Sequence, residues 1–196
     1  MNDLLTNVSK DSGDDVIKII EVGSWKGMST AEMGEACKTF TNTTGKKCYI
    51  ISIDTWLGSS EHYESLLLDM KTNEYAINLF MTFLNNIKVK QMENIVFPLR
   101  LPSTAAAHVL HCFLIDAHLI FIDADHDYLP CLRDIETFYP LVKKNGILFG
   151  DDYWWTGVEK AVNESRDLKG GLVKFWVTGR NWFIKKVEED SKFFNT

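Results

Sequence analysis

The chain has 196 residues, 45% of them hydrophobic and 24% charged, which suits one core and leaves little for a second sizeable domain. That composition excludes disordered and collagen-like classes, and 21 basic against 27 acidic residues, a net charge of −6, has the wrong sign for a grip on nucleic-acid phosphates. No apolar run nears the ~18 residues of a membrane-crossing helix. Met1 to Lys10 is polar, so neither membrane insertion nor a secretory leader is expected and a cytoplasmic setting follows. Cys37, Cys48, Cys112 and Cys131 lack CxxC spacing and are expected as reduced, mostly buried thiols.

Residues 1–13 are polar and expected to fray, leaving 14–190 as a single domain. Val16 to Val22 is an apolar run broken only by Lys18 and Glu21, a buried strand. Gly23 to Gly27 is a turn, after which Met33, Ala36, Cys37 and Phe40 recur at helical spacing. Cys48 to Ile53 is a second strand, ending at Asp54. Residues 73–88 place Ala76, Leu79, Phe80, Phe83, Leu84 and Ile87 on one helix face. Ile95 to Leu99 is a strand, Ala105 to Leu110 lies in a helix, and Leu119 to Ile122 is the fourth strand. Leu129, Leu132, Ile135 and Tyr139 mark a helix ended by Pro140, and Gly146 introduces the strand Ile147 to Phe149. A helix near Val158 to Val162 follows, then strands Leu172 to Val177 and Trp182 to Val187 around a turn at Thr178 to Asn181.

Strand and helix alternate through most of the chain, which implies an α/β fold: a Rossmann-like, mostly parallel sheet with helices on both faces. The last two strands are too close for a crossover helix and should pair as an antiparallel hairpin. Sheets of this kind bind ligands beyond the carboxyl ends of their strands, so polar residues at those ends are the functional candidates.

At the first strand end, Gly23 and Gly27 let backbone approach a ligand and Ser29 opens a helix able to present N–H groups to an anion. The pattern is neither GxGxxG nor a P-loop, and a plain tight turn explains the glycines equally well. Asp54 sits where a ribose-binding carboxylate sits in a βαβ unit, although a helix cap would also use an Asp there. Asp123, Asp151 and Asp152 follow two neighbouring strands, whose ends are only ~5 Å apart. Three such carboxylates need raised pKa values or a shared cation, and hard oxygen ligands favour Mg²⁺, Ca²⁺ or Mn²⁺ over zinc. Solvated loop acids or helix caps are the plainer alternative. An EF-hand fails because Tyr128 stands where its glycine belongs, and His108 with His111 lacks the further ligands of a zinc site. A D-x-D nucleotide-sugar motif at Asp123 to Asp125 rests on three residues alone. Trp25, Trp56, Trp154 and Trp155 gather near strand ends, which suits a flat or ring-bearing ligand, or rim packing.

In this order the pieces resemble the class I S-adenosylmethionine (SAM)-dependent methyltransferases, from about Val16 to Lys186. The resemblance implies a seven-stranded sheet with the last hairpin antiparallel. It assigns Glu21, Gly23, Ser24, Trp25, Gly27 and Ser29 to the methionine half of the cofactor, Asp54, Thr55 and Trp56 to the ribose side, and Ser103 to the adenine. Leu101 and Pro102 depart from the family's usual small or acidic residues there. Within the class, Asp123, Asp151 and Asp152 fall on the divalent-cation ligands of metal-dependent O-methyltransferases, Asp123 also facing the cofactor.

His126, three residues after Asp123 where phenolic enzymes carry lysine, resembles the sugar O-methyltransferases, as do Asp54 to Gly58 and Gly150 to Tyr153. More particularly, the chain resembles a rhamnose-methylating module of a multidomain algal-virus glycan enzyme. It implies partner domains in one polypeptide, a host cytoplasm, and a chain without N-terminal helices. The implied function is transfer of a methyl group to a sugar hydroxyl of a small-molecule or glycan acceptor, with Mg²⁺ or Mn²⁺ and with His126 and Asp123 as the catalytic residues. An imidazole of unperturbed pKa ~6.5 is suited to act as the base. The acceptor pocket is expected from Trp56 to Met70 and Tyr153 to Thr156. A phenolic acceptor, or a cofactor-binding domain without catalysis, are the alternatives.

Overall fold

The computed structural model describes residues 1–58 and 78–187. They run α1 (Asn2–Ser12), β1 (Val16–Val22), α2 (Met28–Thr44), β2 (Lys47–Asp54), α3 (Leu79–Val89), β3 (Val96–Arg100), α4 (Ser103–Cys112), β4 (Ala117–Ile122), α5 (Tyr128–Phe138), β5 (Val142–Gly150), α6 (Thr156–Lys169), β6 (Val173–Thr178) and β7 (Asn181–Lys186). The strands form one seven-stranded sheet, ordered β3-β2-β1-β4-β5-β7-β6. The first five strands are parallel and the closing hairpin enters antiparallel, β7 against β5, as its short connection requires. The direction of winding reverses between β1 and β4, and a crevice at their carboxyl ends is the expected result.

Period-two alternation decides which helices cover which face. Ile17, Ile19, Leu119, Phe121, Ile147 and Phe149 point to one side, where Leu5 and Val8 of α1, Met33 and Phe40 of α2, and Phe83 and Ile87 of α3 pack on them. Ile20, Val22, Ile120, Ile122, Leu148 and Ile184 point to the other, under Ala106 and Leu110 of α4, Ile135 and Phe138 of α5, and Val158 and Val162 of α6. β4 is buried along its whole length, as the centre of a sheet covered on both faces must be.

Four expectations change. Residues expected to fray form α1, because Leu5 and Val8 supply an apolar stripe that buries completely or nearly so, at 0% and 2% exposure. The domain therefore does carry an N-terminal helix. Cys37 and Cys48 are not two thiols but a disulfide joining α2 to β2, their Cα atoms 5.2 Å apart. Cys112 is free and exposed, and Cys131 is free and buried. Leu129 lies outside the core at 63% exposure, since α5 buries Cys131, Asp134, Ile135 and Phe138 instead. The start of the 73–88 helix with Ala76, acceptor residues 59–70 and the domain's last residues 188–190 lie outside the described residues. No helix among the described residues is long and apolar enough to cross a membrane.

Candidate active site

The turn after β1 is shaped by its own packing. Gly23 has φ +90°, and a Cβ there would stand 2.0 Å from the Asp123 carbonyl oxygen, so glycine is required for the ends of β1 and β4 to meet. Gly27, at φ +87°, begins α2 and lies against the Phe83 ring. Beneath the turn, Glu21 is fully buried and accepts hydroxyl hydrogen bonds from Ser24 at 2.9 Å, Ser29 at 2.6 Å, Ser52 at 3.0 Å, and Thr30. Burial raises its pKa, and the four hydroxyls pull in the opposite direction. Glu21 thus supports the turn from below and lines neither cavity, a correction to its reading as a cofactor contact, whereas Ser24, although buried, stands in the cavity wall. Gly23, Trp25 and Ser29 do line open space.

Asp54 ties two loops together. One carboxylate oxygen accepts the backbone N–H of Trp25 at 2.8 Å and the other that of Trp56 at 2.7 Å. Each oxygen keeps a second acceptor position for a hydroxyl donor. Trp25 and Trp56 both adopt positive φ, 45° and 51°, held there by these bonds and by the Trp56 indole N–H donating to the Trp25 carbonyl at 2.8 Å. The Trp56 ring itself is core, packed on Phe80 and Phe83. Its assignment as a cofactor contact therefore fails for the side chain, which is 4% exposed. A cleft of about 390 Å³ opens beside Asp54, lined by Thr55, Leu101, Pro102, Ser103 and Asp123. Ser103 donates its hydroxyl to Asp134 at 2.6 Å. Asp134, on the same wall, was not foreseen, and burial lifts its pKa to about 6.

A second cavity, about 580 Å³, shares Gly23, Trp25, Asp123 and Ala124 with the first and continues over β4, β5 and β7. At its mouth Asp123, His126 and Asp152 each bring one ligand atom within 4.8 Å of the others. His126 Nε2 lies 3.1 Å from Asp152 Oδ2 and 3.7 Å from Asp123 Oδ1. The two carboxylates are fitting donors for a hard divalent cation such as Mg²⁺ or Mn²⁺, and the imidazole nitrogen beside them has one lone pair, to give either to the ion or to a proton. Asp151 stands apart from this cluster. Its carboxylate pairs with Arg180 and accepts from Asn181 at 3.3 Å and from the Asp152 backbone at 2.8 Å. The expected cluster of three aspartates is thus two aspartates and a histidine. Arg180 was missed, although a hairpin returning beside β5 must bring its turn to the end of that strand.

Directly below lies a row in register across four strands: Phe121, Phe149, Phe183 and Trp176. Phe149 and Phe183 stack at 5.7 Å and 5°, Phe183 and Trp176 at 5.0 Å and 3°. Trp154 and Trp155 flank the cluster on its solvent side, 72% and 46% exposed, Trp155 lying over His126 at 4.8 Å.

A family model described as "Methyltransferase domain" matches residues 20–153. An uncharacterized protein of Acanthamoeba polyphaga mimivirus is 26% identical over 184 residues, covering 90% of this chain and 73% of that protein. The solved O-methyltransferase NovP superposes with TM-score 0.66 at 14% identity, covering 95% of this chain and 78% of its own. An O-methyltransferase from Bacillus cereus in complex with SAH gives 0.63 at 14% identity, covering 95% and 80%. CalS11, titled a TDP-rhamnose 3'-O-methyltransferase of calicheamicin biosynthesis, gives 0.54 at 14% identity, covering 94% and 79%. At such identities the structural likeness speaks for the fold.

Proposed function

The chain belongs to the methyltransferase-domain family, and from that premise we propose that it is a SAM-dependent O-methyltransferase whose acceptor is a sugar hydroxyl, rhamnose-like in the first instance. The observation that carries this reading is the meeting of Asp123, His126 and Asp152 where the two cavities join. The cavity beside Asp54, with its two half-used carboxylate oxygens, suits a nucleoside bearing vicinal hydroxyls. The cavity over the aromatic row suits the acceptor.

Asp123 and Asp152 supply the carboxylate oxygens that would hold a divalent cation. Such an ion, when bound, acidifies a hydroxyl in contact with it. Asp151 joins them only by giving up Arg180. His126 takes the acceptor proton on Nε2 as the acceptor oxygen forms its bond to the S-methyl carbon. The carbon–sulfur bond breaks as that bond forms, and the sulfur keeps the electron pair. Walls that hold donor and acceptor in line where the two cavities join would supply much of the rate by themselves. The sugar assignment is supported by His126 standing where phenolic enzymes carry lysine, and by the rhamnose acceptor named for CalS11.

Calorimetry with SAH, with and without Mn²⁺, followed by methyl transfer from SAM to methyl α-rhamnoside and to catechol with and without EDTA, tests the proposal. We expect SAH binding, transfer to the rhamnoside, and loss of transfer in EDTA. Absence of SAH binding removes the enzyme reading, preference for catechol removes the sugar, and undiminished turnover in EDTA removes the cation.

A further inference from the structure

Trp154 is among the most exposed large apolar side chains described, yet it is not loose. Its indole N–H donates to Asp152 Oδ1 at 2.7 Å, while the other oxygen of the same carboxylate faces His126 Nε2 at 3.1 Å. Asp152 is itself in the left-handed region, φ +54°, and its carbonyl accepts the Trp155 N–H at 2.9 Å. The turn is braced from the other side by Gly157, where a Cβ would stand 2.3 Å from the His126 carbonyl oxygen. Two indoles and a carboxylate of the β5–α6 turn and the imidazole of the neighbouring β4–α5 loop are therefore fixed relative to one another. Among the described residues nothing offsets the apolar hydration of this exposed indole, and its N–H is spent on a carboxylate that would otherwise have water.

We propose that Trp154 is a positioning residue that holds the Asp152 carboxylate toward His126, and that its exposed ring is the platform for the acceptor: a ring carrying vicinal hydroxyls, laid against the indole with its hydroxyls toward Asp152. This inference rests on the methyl-transfer reading above. It gives the two halves of the side chain separate jobs, the N–H orienting the carboxylate and the ring face binding the acceptor. The apolar C–H face of a pyranose and the π face of a catechol both meet that description, and they are separated in the test.

The test uses the full chain loaded with SAH, ¹⁵N-labelled at its tryptophan indoles, titrated with methyl α-rhamnoside and separately with catechol. The Trp154 indole signal should shift with one of the two probes while that of Trp182, buried in the core, stays in place. Trp154→Phe keeps a ring and loses the donor, so kcat should fall about tenfold with KM within twofold, the loss of one hydrogen bond to a charged group. Trp154→Ala loses both and should add a rise in KM of about tenfold. SAH affinity should be unchanged in both variants, which excludes misfolding as the cause. A Trp154 signal that moves with neither probe, or variants with wild-type kcat and KM, overturns the inference while the methyl-transfer reading stands. Wild-type protein that fails to bind SAH overturns both.

Discussion

The Arg180 guanidinium holds the Asp151 carboxylate away from the cluster formed by Asp123, His126 and Asp152. Arg180 is 63% exposed at its side chain and Asp151 only 10%, so the arginine acts as a removable cover on a buried acid. The acids hold its pKa above the ordinary value, Asp151 first and Asp152 and Asp123 after it. Exposed ion pairs contribute ~0.2–1 kcal/mol. Arg180→Ala should therefore tighten Mn²⁺ binding by up to about fivefold in calorimetry, and Asp151→Asn should weaken it less than Asp123→Asn does. Weaker Mn²⁺ binding in Arg180→Ala would mean that Asp151 is not a ligand in waiting.

That arrangement shows where sequence and structure part. The strand ends, the alternation that sorts residues between two faces, and the hairpin were all legible, because period-two and helical spacing are local properties. The placement of Asp123, Asp54 and Gly23 was legible for the same reason: each stands at or just past the end of a strand. The cluster's membership was not, because it depends on side-chain direction. Consecutive Asp151 and Asp152 project differently once Asp152 turns left-handed at φ +54°, and only one of them meets His126. Glu21 looked like a ligand contact because it shares the strand end, yet its hydroxyl partners come from the turn after β1, from α2 and from β2 together. Helix α1 was missed because two buried side chains, Leu5 and Val8, decide its docking within an otherwise polar stretch.

His126 separates the roles of base and ligand. If Nε2 takes the acceptor proton, His126→Ala should lower kcat by ~10²-fold or more, the usual scale of general-base catalysis. Mn²⁺ affinity, measured by calorimetry on the same protein, should change little because Asp123 and Asp152 remain. A parallel loss of Mn²⁺ binding assigns His126 to the coordination shell instead.

Asp54 should govern the cofactor without touching the cation. Asp54→Ala removes the acceptors of the Trp25 and Trp56 N–H groups and any hydroxyl contact in one step. Hydrogen bonds to a charged group are worth about 1.5–3 kcal/mol, so SAH affinity should fall by ten- to a hundredfold. Asp54→Asn keeps one carbonyl acceptor and should fall between wild type and Ala. Mn²⁺ affinity unaltered in both variants is the control that localises the effect.

Gly157 is a steric requirement and not a conformational one. Its Cβ would collide with the His126 carbonyl oxygen at 2.3 Å and approach the Tyr128 nitrogen at 2.9 Å, both backbone atoms. Overpacking costs about 1–3 kcal/mol, or a melting temperature lower by a few degrees in a chain of this size. Because the displaced segment carries His126, Gly157→Ala should lose turnover at least tenfold while binding SAH normally. Full turnover together with the lower melting temperature would show that His126 does not need this support.

Asp134 gives the cleft beside Asp54 a pH signature. Burial raises its pKa from 3.8 to about 6, with the Ser103 hydroxyl and Arg133 opposing that rise. The folded state therefore holds its proton more tightly than the unfolded chain. The sign follows: the stabilisation is fully present below the unfolded value and is lost as pH climbs from about 4 to about 6. A rise of that size corresponds to about 3 kcal/mol. His118, buried with its ring against Asp14, has a lowered pKa and acts with the opposite sign, its contribution being lost as pH falls. The wild-type curve superposes the two, so the informative quantity is the difference from Asp134→Asn. Urea unfolding at pH 4, 5, 6 and 7 should show the variant gaining on wild type across that interval and running parallel to it above. A difference independent of pH would mean that folding does not raise the pKa of Asp134.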